Sequence, residues 1–147
     1  MRMGSRAALL SCAALLVAGP GAAQTAADTA GIREAASNYV EGWYSGDAAR
    51  MERALHPDLA KRIVVNRDGK SQLNHMGTPT LVEATGRGGG KNTPAAEQQR
   101  DIVILDIFRG VASVRATMSG WIDYMHLARW NGRWVIVNVL WEMKADR

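Results

Sequence analysis

From residue 28 to residue 44 the apolar side chains recur three and four apart, at Ile32, Ala35, Ala36, Tyr39, Val40 and Trp43. This spacing predicts an amphipathic helix over 28–44 that turns one stripe inward, capped by Asp28 or Thr29. The Ala/Thr-rich residues 24–29 read as a linker leading into it. Ser45-Gly46 ends the helix, and Asp47 caps a second one that carries Ala48, Met51, Ala54 and Leu55 inward. That helix stops at His56-Pro57, because proline cannot continue a helix and disfavours helical backbone in the residue before it. Residues 60–66 read as a short strand, Asp68-Gly69 as a hairpin turn, and 71–76 as the returning strand. Thr78 as cap and Pro79 as first residue open a third helix, which Gly86 closes. The polar, glycine-rich stretch 87–99 reads as a mobile loop.

The last third of the chain changes period. Residues 101–109 are apolar and β-branched, 111–119 alternate, and 121–130 and 133–143 form two further strands around the turn Asn131-Gly132. Helices followed by a run of antiparallel strands predict an α+β fold with the helices on one face of the sheet. In the final strand Trp134, Ile136 and Leu140 fall on one side and Val135, Val137, Val139 and Trp141 on the other, so both faces carry apolar groups. Helices cover only one face. The other is expected to be a homodimer interface or to be covered by a wrap of the same sheet.

The start of the chain follows a different logic. Arg2 and Arg6 precede an apolar run from Ala7 to Ala18, and Gly21-Ala22-Ala23 supplies small residues before Gln24. Basic, then apolar, then small is the order of a secretory signal peptide, and the run is short of the roughly 20 residues that cross a bilayer. Residues 1–23 are therefore expected to direct export to the periplasm or beyond and to be cut after Ala23, leaving one domain over 24–147 with no stable membrane insertion. Acylation at Cys12 is a weaker alternative, since more apolar sequence follows it. Cleavage would remove the single cysteine and take two of the 18 basic residues, leaving them nearly level with the 14 acidic ones. No basic stripe interleaved with aromatics occurs, which argues against nucleic-acid binding. Three scattered histidines and no ligand spacing argue against a metal centre.

Four segments carry a family resemblance: Tyr39-Val-Glu-Gly-Trp-Tyr-Ser-Gly-Asp47, Ala54-Leu-His-Pro-Asp-Leu59, Trp121-Ile-Asp-Tyr-Met-His-Leu127 and Asn131-Gly-Arg-Trp-Val-Ile-Val-Asn-Val-Leu-Trp141. Together they resemble the nuclear transport factor 2-like superfamily, and within it the subgroup labelled "putative lumazine-binding". The resemblance implies a curved antiparallel sheet, a cone or half-barrel, with three helices on its concave face. The superfamily includes ketosteroid isomerases, polyketide cyclases, scytalone dehydratase and many binding proteins. Its isomerases use a tyrosine on the first helix and an aspartic acid on a late strand to hold an enolate oxygen, with a carboxylate base. Tyr39 and Asp123 match the first two, and Trp141 matches a pocket-wall aromatic. The base position falls at Arg62-Ile63-Val64, where no carboxylate stands.

The leading expectation is an exported binder of a small hydrophobic or aromatic ligand, with no cofactor, its pocket lined by Tyr39, Trp43, Asp123, Met125, Val137 and Trp141. The first alternative is an isomerase, dehydratase or cyclase acting on a hydrophobic carbonyl compound through Tyr39 and Asp123, with His56 or His126 as base. The second is a structural or partner-binding module whose pocket is filled. Asp123 and His126 lie three apart on one strand, so they face opposite sides unless a bulge intervenes. His75 falls in the hairpin. Gly86-Arg-Gly-Gly-Gly-Lys91 lacks the spacing of a phosphate loop and follows a helix, so it reads as a loop or lid.

Overall fold

The structure, a computed structural model, describes residues 20–144, with side chains described from Thr25 onward. Nearly all of the expected signal segment, and Cys12 with it, lies outside these residues. The elements run α1 (Pro20–Ser45), α2 (Ala48–Ala54), β1 (Leu55–Arg67), β2 (Lys70–Met76), α3 (Thr78–Gly86), β3 (Asp101–Phe108), β4 (Val111–Thr117), β5 (Trp121–Trp130) and β6 (Arg133–Met143), with a single 3-10 turn at Ala95–Glu97. Helix α1 therefore includes residues 24–29, expected to be a linker. Alanine, the best helix former, dominates that stretch. Asp28 is not a cap but a buried residue inside the helix, paired with Arg129 and accepting a hydrogen bond from Trp134 Nε1 at 3.2 Å.

Asp47 does cap α2, accepting from the Arg50 backbone N–H at 2.9 Å. Helix α3 starts one residue earlier than expected. Gly77 is its N-cap, and the Thr78 hydroxyl donates to the His56 carbonyl at 2.6 Å instead. Both Asp-Gly and Asn-Gly turns have positive φ at their two central residues, the geometry that joins twisted antiparallel strands.

The six strands form one sheet in the order β2-β1-β6-β5-β4-β3. Every neighbouring pair is antiparallel except β1 with β6, which is parallel, so the curved, unclosed sheet is mixed. Helix α1 crosses β3, β4 and β6, while α2 and α3 pack by β1. Ile32, Ala36, Tyr39 and Val40 of α1 meet Val114, Met125, Ile136 and Val139 in the core.

Register breaks lie along one line across the sheet. Leu105 is the extra residue of β3 against β4, Val137 is the extra residue of β6 against β5, and four residues of β1 between Leu55 and Ala60 face the single residue between Ile136 and Asn138. Such bulges bend a strand and increase its twist, so the sheet creases there and closes around α1. The bulge at Val137 also resets the alternation of β6. Trp134, Ile136, Val139 and Trp141 pair with Arg129, Leu127, Met125 and Asp123 and share their side of the sheet, so the division of β6 expected from strict alternation is corrected. The other side is uncovered in a single chain, with Phe108, Val111, Tyr124 and Leu140 all more than half exposed.

Candidate functional site

Three strand residues and one helix residue build a polar cluster inside the fold. Asp123, on the inner side of β5, is fully buried. Lys61, on the inner side of β1, sits opposite Val139 and reaches across β6 to place Nζ 2.5 Å from Asp123 Oδ1. Tyr39 descends from α1, accepts from Lys61 Nζ at 2.8 Å and donates to Asp123 Oδ2 at 3.2 Å. Trp121, two residues before Asp123 on the same side of β5, donates its indole N–H to Oδ2 at 2.8 Å.

Asp123 thus receives three donors, one of them cationic. Both carboxylate oxygens are thereby engaged as acceptors, and the cationic donor makes one of these bonds charge-assisted. Lys61 is only 5% exposed, and burial lowers its pKa below the ordinary lysine value while the neighbouring Asp123 pulls the other way. Burial pushes the Tyr39 phenol well above its usual value, and the charge and hydrogen bond of Asp123 push it further. Tyr39 therefore stays protonated and acts as a donor.

Above this cluster lies a cavity of about 170 Å³, lined by Trp43, Met76, Leu81, Trp121, Trp141 and Met143 together with Tyr39, Lys61 and Ala84. The three indoles meet edge to face, Trp43 with Trp121 at 5.6 Å and Trp121 with Trp141 at 6.0 Å between centroids. Lys61 Nζ stands 4.7 Å from the Trp141 ring centroid, so the wall also favours its positive charge. Two of the three ammonium hydrogens are directed to Asp123 and Tyr39. The third is available to the cavity. Met143 is more than half exposed, which places an opening at that end.

The glycine-rich loop forms the back of Trp43. A Cβ on Gly89 would lie 2.5 Å from that indole, and one on Gly90 would lie 2.3 Å from it. The Gly90 N–H donates to the Trp43 carbonyl at 3.2 Å. Only the absence of side chains lets the loop lie this close.

The structure brings together four of the expected lining residues, Tyr39, Trp43, Asp123 and Trp141, the aspartate beneath the cavity rather than on its wall. The other two need correction. Met125 is buried beneath helix α1 in the core, away from the cavity. Val137 lines a shallow hollow on the opposite side of the sheet with Phe108 and His126, because the β6 bulge turns it outward. His126 is exposed there, its Nδ1 3.2 Å from Asn138 Nδ2. His56 lies at the far end of the sheet, edge-on to Trp130 at 4.5 Å, and its Nδ1 accepts from the Asp58 N–H. Neither histidine reaches the cavity, so neither can serve there as the base. Arg62 points away and bonds Asn138.

The sequence reading missed Lys61. Only a faint signal for it stood in the sequence. Leu59 and Ile63 flank it at the strand period, and a buried carboxylate at Asp123 calls for a cation. A larger hollow of about 640 Å³ lies at the other end of α1, but it is a groove edged by Asp28, Glu34, Arg53, Arg129 and Arg133, several already paired with one another. Among the described residues no three His, Cys, Asp or Glu side chains cluster as metal ligands.

Residues 27–142 match the family model described as "Putative lumazine-binding". The fold is similar to that of a nuclear transport factor 2-like protein of unknown function from Shewanella baltica, with a TM-score of 0.62 and 22% identity over 82% of this chain and 97% of that one. It is also similar to a nuclear transport factor 2-like protein with a cystatin-like fold from Novosphingobium aromaticivorans, with a TM-score of 0.63 and 14% identity over 86% of this chain and 88% of the other. A third, of unknown function, from Methylobacillus flagellatus, has a TM-score of 0.59 and 25% identity over 81% of this chain and 94% of that one. Comparison with the curated proteins found no match.

Proposed function

We propose that this chain, which belongs to the "putative lumazine-binding" family of the nuclear transport factor 2-like superfamily, binds a small flat aromatic molecule in the tryptophan-walled cavity. The observation that carries the reading is the cavity itself, apolar on its walls with one lysine donor at its base. Ligand sites commonly pair such walls with a few placed polar groups. At about 170 Å³ the space is close to that of a dry cavity known to admit benzene, about 150 Å³. It holds one ring fully, or one end of a two-ring molecule whose remainder lies at the Met143 opening. A carbonyl or ring nitrogen on that molecule would accept the third hydrogen of Lys61.

The isomerase reading is less well supported. It needs Asp123 and Tyr39 to donate to a substrate oxygen, whereas here Asp123 accepts three hydrogen bonds and Tyr39 donates to Asp123. A partner-binding module with a filled interior fits poorly with an open cavity. Export through residues 1–23 and pairing of two copies through the uncovered sheet face complete the proposal. N-terminal sequencing of the chain recovered from its native compartment tests the first.

The main test is titration followed by tryptophan emission, using lumazine, flavins and single-ring aromatic carbonyls. Saturable quenching is expected for at least one class, to be lost in Trp141→Ala and weakened about tenfold in Lys61→Met, the loss of one charge-assisted hydrogen bond. Linear, non-saturating quenching by every compound would remove the binding reading.

A further inference from the structure

We propose that Lys61 captures an aldehyde or ketone entering the aromatic cavity as a covalent imine on its Nζ. The inference rests on reading the cavity as a ligand site. Lys61 supplies the nucleophile that faces this space, since the Tyr39 hydroxyl is committed to Asp123 and the remaining walls are indole, thioether and alkyl groups. Its Nζ is almost closed to bulk water, so a carbonyl compound reaches it through the cavity.

The groups needed for the chemistry stand around it. Asp123 Oδ1, 2.5 Å away, takes a proton from the ammonium and frees the amine lone pair. The lone pair attacks the carbonyl carbon, a C–N bond forms as the C=O π bond breaks, and the oxygen takes back the proton held by Asp123 while the new nitrogen cation gives its extra proton to the same carboxylate, leaving a neutral carbinolamine and a protonated Asp123. Asp123 then relays a proton to that hydroxyl, which leaves as water as the C=N bond forms. The net change is ammonium plus carbonyl to protonated imine plus water, with no oxidant or reductant. The product keeps one positive charge beside Asp123, so the buried ion pair survives the reaction. Burial also weakens the hold of the amine on its proton, which raises the fraction able to attack. The dry tryptophan wall slows the return of water once the imine has formed, and an aromatic aldehyde would stack its ring there.

The four lysines of the chain are Lys61, Lys70, Lys91 and Lys144, and Lys70 and Lys91 are exposed, so the protein carries its own controls. The full chain is treated with benzaldehyde and cyanoborohydride near neutral pH, digested, and mapped by mass spectrometry for benzylated lysine. Lys61 is expected to label at least about tenfold faster than Lys70 and Lys91, the advantage of an amine positioned at the base of the cavity beside a carboxylate that takes its proton. An excess of benzyl alcohol, which has the ring but no carbonyl, is expected to suppress labelling at Lys61 alone. Labelling of Lys61 no faster than of the exposed lysines, in protein whose circular dichroism is native, overturns the proposal. If benzyl alcohol or lumazine still quenches tryptophan emission saturably in that case, the binding reading stands and only covalent capture falls. If nothing quenches and nothing labels, both fall.

Discussion

Lys61 and Asp123 face each other across 2.5 Å with 5% and 0% of their side chains exposed. Breaking a buried pair by removing one partner costs more than replacing both, because the survivor is left charged and dry. Lys61→Met is therefore expected to destabilise the fold by about 3 kcal/mol, and Lys61→Met combined with Asp123→Asn by clearly less than the sum of the two single changes, as read by urea unfolding. The same cluster sets a pH profile. Between the lowered native pKa of Lys61 and its ordinary 10.5, the unfolded chain binds more protons than the native one, so stability rises with pH through that window. Tyr39 acts oppositely. Above its ordinary 10.0 the unfolded chain loses a proton that the native phenol keeps, so stability falls. The urea midpoint is expected to climb as pH approaches ten and then drop, with Lys61→Met lacking the climb and Tyr39→Phe lacking the drop.

Tyr39 and Asp123 were legible as a meeting pair through the family resemblance, with helical spacing turning Tyr39 inward and apolar neighbours flanking Asp123. Lys61 was not, because lysine is so seldom buried that a strand lysine reads as solvent-facing. The role expected of Asp123 changed with it. A side chain that the resemblance implied would hold a substrate oxygen instead accepts from Lys61, Tyr39 and Trp121.

At the scale of elements, the glycine loop and α1 are coupled through one indole. Gly90→Ala is expected to destabilise the protein by about 1–3 kcal/mol, since the new methyl cannot fit against Trp43 without moving it. It should also shift the tryptophan emission and weaken aromatic ligands more than Trp130→Phe does, because Trp130 lies at the opposite end of β5. The loop backs Trp43 rather than the cavity itself, and its expected mobility gave no hint of this contact. Strands β5 and β6 were legible to the residue because the Asn-Gly turn and strong β formers bound them. The parallel pairing of β1 with β6 was not, since partner choice between distant strands leaves no local mark. The Val137 bulge was hidden for another reason. Residues 134–137 are apolar without interruption, so the alternation that would betray an extra residue is absent.

Over the whole molecule, helices cover one side of the sheet and leave Phe108, Val111, Tyr124 and Leu140 in the open on the other. Exposed apolar surface of this kind commonly marks an interaction site, and the sidedness of the last strand had suggested it. Two copies are expected to pair there. Sedimentation velocity should show a dimer that Tyr124→Lys with Leu140→Lys converts to a monomer with unchanged circular dichroism, and a monomer from the unaltered chain would remove the pairing proposal. The layered architecture was legible in sequence, down to the order of its elements. The cavity was not, because its size depends on how far the sheet folds over α1, which is a property of the crease.

The crease separates two attributes of β6 that usually travel together. Excising Val137 would restore an unbroken ladder with β5 while leaving Ile136, Val139 and Trp141 opposite the same partners. Hydrophobic sorting would survive, and the chain should still fold. What would lessen is the bend, since only the breaks in β1 and β3 would remain, and the sheet would lie flatter against its helix, with Trp141 swinging away from Trp43. Curvature here can be tuned by the length of the chain, one residue at a time, without touching any side chain that a ligand meets.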